Sequence, residues 1–127
     1  MPAFGRVTLA AVSQTGNNTH TGVQVADSAG RQMLEFTVSA VGGTPTVTFA
    51  LQGSFDGTNW DTTGISMIPS NSDTIAATRA VTATGTYHQA VSQSQSRAWA
   101  YYRLVTTLNT NVTYGPCYLY FDVPDNG

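Results

Sequence analysis

The run Thr46-Val47-Thr48-Phe49-Ala50-Leu51-Gln52 constrains this chain more than any other stretch. Val47, Phe49 and Leu51 share one side of an extended strand, and Thr46, Thr48, Ala50 and Gln52 share the other. That period of two belongs to a strand with one buried face. Gly53-Ser54-Phe55-Asp56-Gly57-Thr58-Asn59-Trp60 follows directly. Asp56-Gly57 is turn chemistry, because Gly accepts positive φ and an Asp side chain bonds back to nearby N–H groups. Trp60 carries a large apolar surface and is expected to return along a hairpin and be buried. Asp56, Gly57, Asn59 and Trp60 are therefore the predicted anchor of that hairpin.

Similar alternation recurs along the chain. Arg6 to Val12 places Val7 and Leu9 on one side, and Leu34 to Val41 turns Leu34, Phe36 and Val38 inward. Gly22 to Ala26 is a short strand ended by Asp27-Ser28-Ala29-Gly30, and Gly42-Gly43-Thr44-Pro45 turns the chain into the strand described first. Asp61 to Asn71 is irregular and closes on the turn cluster Pro69-Ser70-Asn71-Ser72. Thr74 to Thr82 reads as a strand from its Thr content and the alternation of Ile75, Ala77, Arg79 and Val81. Thr86 to Val91 is a strand after a turn at Thr84-Gly85. Ala98 to Thr106 is apolar on both sides and so central, and Val112 to Phe121 sets Tyr118 and Tyr120 against Leu119 and Phe121. Ser13 to Thr21 and Ser92 to Ser96 are polar loops. Strands at this spacing, with no helical period, predict an all-β antiparallel β-sandwich of about eight strands, Ig-like or jelly-roll-like.

At 127 residues the chain is expected to be a single domain spanning 1–127, with short arms at 1–5 and 123–127. Charged residues are only 9%, against about 25% in an average soluble protein. All five cations are Arg and one of the seven acids, Glu35, is a Glu. Lys and Glu are the usual covering of free monomers and are depleted in interface cores, so a surface poor in both reads as one that lies against other protein. The net charge of −2 and the scattered arginines argue against a nucleic-acid partner, and none is expected. No segment approaches the ~20 apolar residues of a membrane span, and Met1 to Arg6 has no apolar core of signal-peptide length, so synthesis in a cytoplasm is expected. Cys117 is the lone cysteine and reads as a small buried hydrophobe.

Candidate chemistry is sparse. Asp56, Asn59 and Asp61 put three oxygen side chains in one turn, but turns use the same residues for backbone bonding and no Glu completes a cage, so no metal is expected. His20 and His88 have no ligand-spaced partner. There is no Gly-x-Ser-x-Gly elbow, and a chain without Lys has neither a P-loop nor a Schiff base. No enzymatic activity and no cofactor are expected.

The Gly42-Gly43-Thr44-Pro45 turn, the Thr-aliphatic strand and the run Gln52 to Trp60 resemble a recurrent small structural protein of tailed bacteriophages. Tyr101-Tyr102-Arg103-Leu104 and the final hydrophobic strand match further features of that family, and the resemblance covers Val23 to Phe121. The polar loop near Asn17 and the loop Ser92 to Ser96 depart from it. The resemblance implies a virion protein without catalytic residues, most plausibly a capsid decoration protein that binds and stabilises the outer head surface. Its partners would be the major capsid protein or other virion subunits, with a homo-oligomer as a further expectation. The alternative is a carbohydrate- or receptor-binding β-sandwich module, in which Tyr101 and Tyr102, with Trp60 and Trp99, would be interaction aromatics. Buried rings and an extended Thr/Ala/Gln face favour the first reading, whereas a solvent-facing aromatic row favours the second.

Overall fold

A computed structural model describes residues 3–25, 31–42, 47–69, 76–91, 99–108 and 112–123. Among these there is no helix. The strands are β1 (Ala3–Ala10), β2 (Gln14–Thr15), β3 (Asn18–Thr19), β4 (Val23–Gln24), β5 (Gln32–Val41), β6 (Val47–Ser54), β7 (Met67–Pro69), β8 (Thr78–Val81), β9 (Gly85–Val91), β10 (Tyr101–Leu108) and β11 (Val112–Val123). They form two antiparallel sheets, one in the order β1-β11-β5-β9-β7 with β2 also on β11. The other runs β3-β10-β6-β8 with β4 also on β10. The predicted β-sandwich is present.

Several expectations need correction. Among the described residues there are eleven strands rather than about eight: the polar stretch Ser13 to Thr21, read as a loop, contributes β2 and β3, and the irregular stretch Asp61 to Asn71 contributes β7. Gln14 pairs with Tyr114 and Thr19 with Val105, so β2 and β3 extend the two sheets. Residues 3–5 and 123, expected as arms, are ladder residues, with Ala3 opposite Val123. The turns expected at Asp27–Gly30, at Gly43–Pro45 and at Ser70–Ser72, the loop Ser92–Ser96 and the C-terminal residues 124–127 lie outside the described residues.

The core is built by alternation. Leu34, Phe36 and Val38 of β5 face Val47, Phe49 and Leu51 of β6, and all six are at most 1% exposed. The Phe36 and Phe49 rings stack across the two sheets with centroids 3.9 Å apart, and Tyr114 meets Phe49 edge-on at 5.5 Å. Cys117 is fully buried beside them, and burial pushes its thiol pKa well above the ordinary range, so it stays a protonated hydrophobe.

Polar links also cross between the sheets. Gln32 Nε2 of β5 donates to Tyr102 Oη of β10 at 2.7 Å, and Arg79 Nη1 of β8 donates to Gln89 Oε1 of β9 at 2.6 Å. At the other end Tyr114 Oη of β11 lies 2.7 Å from Thr106 Oγ1 of β10. Tyr114 Oη also accepts from Asn18 Nδ2 at 3.1 Å and lies 2.8 Å from His20 Nε2.

Two substitutions probe these layers. Phe49→Ala removes a ring in contact with both sheets and is expected to cost about 3–5 kcal/mol in denaturant unfolding. Tyr114→Phe keeps the ring but leaves buried Thr106 and its neighbours short of a partner, and should cost about 1–3 kcal/mol. Equal costs from the two changes would place the stability in the polar links rather than in the ring stack.

Candidate functional site

The loop leaving β6 is organised by Asp56. Its Oδ1 accepts the Thr58 and Asn59 backbone N–H groups, both at 2.8 Å, and the Ser54 hydroxyl at 3.0 Å. Its Oδ2 accepts Asn59 Nδ2 at 2.7 Å. Ser54 Oγ in turn accepts the Gly57 N–H at 3.0 Å. The Asn59 N–H first, then those of Thr58, the Asn59 amide and the Ser54 hydroxyl, hold the Asp56 carboxyl far below the usual carboxylate range. Gly57 has φ +77°, as a tight turn here requires. Asp56, Gly57 and Asn59 are thus the organising residues of this turn. The Asp56 oxygens point at N–H donors within the loop, and Asp61 Oδ1 accepts the Thr63 N–H at 3.0 Å. Among the described residues no group of three His, Cys, Asp or Glu side chains converges on a point.

Trp60 departs from expectation. It is half-buried and lies outside the core, and the chain returns past β6 without forming a second strand. Two backbone bonds guide that return, from Asp61 N to Gly53 O at 3.0 Å and from Ile65 N to Leu51 O at 2.8 Å. The indole sits on the outer face of the second sheet, where the Arg103 guanidinium lies 4.5 Å from its ring centroid. Arg103 Nε also donates to Gln52 Oε1 at 2.8 Å. Trp99, the other tryptophan, is half-buried against the core margin, packed on Gly53 and on exposed Phe55 with centroids 4.7 Å apart. A Cβ at Gly53 would overlap the Trp99 ring, so glycine is required by close approach.

The two predicted interaction aromatics separate. Tyr102 is fully buried, with Oη accepting from Gln32 Nε2 and from the Trp99 N–H at 2.9 Å, so it is a core residue and is removed from any contact surface. Burial raises its phenol pKa. Tyr101 is half-exposed on the outer face, beside Gly57. The four aromatics therefore do not form one exposed row: Tyr102 is buried, Trp99 packs at the core margin, and Trp60 and Tyr101 are half-buried on the outer face of the second sheet.

The outer face of the second sheet has a distinct composition. Register brings Thr48, Ala50 and Gln52 of β6 opposite Thr107, Val105 and Arg103 of β10, and places Ala80 and Thr78 of β8 beyond them. Arg103, held beneath Trp60, is the charged residue in that array. Three other arginines among the described residues are similarly engaged. Arg6 lies 4.3 Å over the Tyr118 ring, Arg79 lies 5.4 Å from the Tyr87 ring, and Arg31 pairs with Asp122 at 2.9 Å.

Sequence reasoning missed the outer face of the first sheet. There His88 Nε2 lies 2.8 Å from Glu35 Oε2, and Tyr118 and Tyr120 meet edge-on at 6.2 Å. The alternation of Tyr118 and Tyr120 was legible. The pairing of Glu35 with His88, 53 residues apart, depends on strand register that no local pattern encodes.

No protein-family model matches this chain, and no curated protein matches it by sequence. Among solved structures, the crystal structure of SPBc2 prophage-derived protein YomS is similar with a TM-score of 0.67 at 8% identity. That likeness covers 96% of this chain and 95% of that one. The crystal structure of PirA gives a TM-score of 0.42 at 15% identity over 93% and 92% of the two chains, too low to carry an argument. The first likeness establishes the fold alone, a two-sheet antiparallel β-sandwich.

Two pH effects follow. Burial lowers the His20 pKa from its ordinary 6.5, so below that pH the unfolded chain binds more protons than the folded one. Stability is then full above pH 6.5 and falls as pH drops through it, and His20→Gln should flatten this slope in a series of thermal melts. The Asp56 carboxyl is depressed, so its contribution is present above about pH 4 and is lost as pH falls through its folded pKa. Asp56→Ala should lower Tm at pH 7, and its gap to the wild type should narrow in strong acid.

Proposed function

We propose that this protein is a structural component of a tailed-bacteriophage virion, a capsid decoration protein that seats on the outer head surface and stabilises it. It works by contact alone, without a catalytic group or cofactor, and its partner is the major capsid protein or another virion subunit. The observation that carries this reading is the outer face of the second sheet. Thr48, Ala50, Val105, Thr107, Thr78 and Ala80 are small or β-branched, so they lose little side-chain entropy when covered. The strands of this sheet range from two residues (β3, β4) through four (β8) to eight (β6, β10), and at about 3.3 Å per residue and about 4.8 Å between strands they give a footprint of roughly 380 Å². That is about half of the ~800 Å² that a standard interface takes from each partner.

Two further points support it. The edge strands β7 and β8 are short, but β1 presents eight residues of edge with Arg6 as its charged side chain. The fold is also that of a protein described as prophage-derived, in keeping with the bacteriophage resemblance of Gln52 to Trp60.

Co-sedimentation with undecorated capsids tests the proposal. Wild type is expected to bind with little change between about 0.05 and 0.5 M salt, because few charges are available for steering. Ala50→Arg, which plants a charge in the middle of the face, should weaken binding by about tenfold or more, ~1.4 kcal/mol, while Tm changes little. Undiminished binding by this variant, or loss of wild-type binding at the higher salt, would refute the assignment.

A further inference from the structure

The first sheet turns a different surface outward. Register places Tyr120 opposite Met33, Met33 opposite Ala90, and Ala90 opposite Ile68, so one apolar row crosses β11, β5, β9 and β7. Met33 is 39% exposed, and the other three are half-buried. One step along the strands, about 7 Å away, lies the His88–Glu35 pair, with Tyr118 opposite Glu35. One step in the other direction, Arg31 Nε donates to Asp122 at 2.9 Å, and the Arg31 side chain is 82% exposed. A cavity of about 360 Å³ opens on the Arg31–Asp122 flank of the row, where Met33, Ala90 and Tyr120 meet the inward-facing Gln32, Val91 and Phe121, and the Glu35–His88 pair lies beyond it. That volume lies within the range of small-ligand sites.

We propose that this face is a binding site for a neutral pyranoside, with the Tyr120–Met33 row as its floor and the Arg31–Asp122 and Glu35–His88 pairs as its two flanks. A pyranose has an apolar C–H face and a rim of hydroxyl groups that both donate and accept. The apolar row matches the first, with the Tyr120 ring as the stacking surface. Each flanking pair sets a carboxylate acceptor beside a nitrogen-bearing partner, so a hydroxyl meets polar groups on both sides. A purely apolar occupant would strip water from both pairs without replacing it. A charged ligand of either sign would meet a like charge, Glu35 and Asp122 for an anion and Arg31 and Arg6 for a cation, so the face favours a neutral one. This site is on the opposite sheet from the face assigned to the capsid, and it stands or falls independently of that assignment.

The test is titration of the whole, isotope-labelled chain with maltotriose, cellotriose and chitotriose, followed by amide chemical shifts. Concentrations up to about 20 mM suit an expected Kd on the order of 1 mM. At least one trisaccharide should shift Met33, Glu35, Ala90 and Tyr120. Tyr120→Ala and, as a surface change with little risk to folding, Arg31→Ala should each weaken binding about fivefold or more, whereas Trp60→Ala on the other sheet should leave it unchanged. The proposal is overturned by an absence of shifts with all three sugars, or by shifts confined to other surfaces. It is also overturned if cyclohexanol, a ring with a single hydroxyl, binds as tightly, since that would make the row a plain apolar contact.

Discussion

The stack of Phe36 on Phe49 is the contact on which the rest of the sandwich depends. Their centroids are 3.9 Å apart although the rings come from β5 and β6 in different sheets. Sheets that pack face to face lie about 10 Å apart, and two interleaved aromatic rings fill that gap where shorter side chains leave voids. Tyr114 and Tyr87 extend the cluster from a third and a fourth strand, at 5.5 Å from Phe49 and 5.4 Å from Phe36. Aligning these rings fixes how far one sheet slides over the other, and therefore which polar groups come into reach across the interior.

Those polar groups have little latitude. Tyr102 with Gln32, Arg79 with Gln89, and Tyr114 with Thr106 each join one sheet to the other. Among the described residues no buried side-chain nitrogen or oxygen lacks a partner. A displaced sheet would leave several such atoms unpaired in a low-dielectric interior, at a cost of about 1–3 kcal/mol each. Ring packing fills the interior, and the polar links select one arrangement of the sheets. The N-terminal quarter closes the side of the molecule, with β1 and β2 zipped to β11 and then β3 and β4 zipped to β10. His20 and Asn18 reach Tyr114 because that crossing takes the chain from one sheet to the other.

The same economy shapes the surface. Arg103 rests on Trp60, Arg6 on Tyr118 and Arg79 on Tyr87, so these cations stiffen aromatic side chains as well as carrying charge. The two outer faces consequently differ in kind: one is rich in Thr and Ala with Arg103 as its charged residue, and the other has an apolar row between the Arg31–Asp122 and Glu35–His88 pairs.

The sequence by itself determined the all-β class, the inward sets Leu34–Phe36–Val38 and Val47–Phe49–Leu51, the buried thiol of Cys117 and the Asp56-Gly57 turn. Each depends on neighbours within a few residues, where side-chain alternation and turn stereochemistry act directly. Only the tertiary structure decided that Trp60 lies outside over Arg103, that Tyr102 is buried while Tyr101 is not, and that Ser13 to Thr21 extends both sheets. It also decided that Glu35 meets His88 and that Tyr120 joins Met33, Ala90 and Ile68 in one row. These outcomes follow from strand register and from the offset of one sheet on the other. Both are set by the sum of distant contacts, and a period-two pattern reads the same for every register that keeps its apolar face inward.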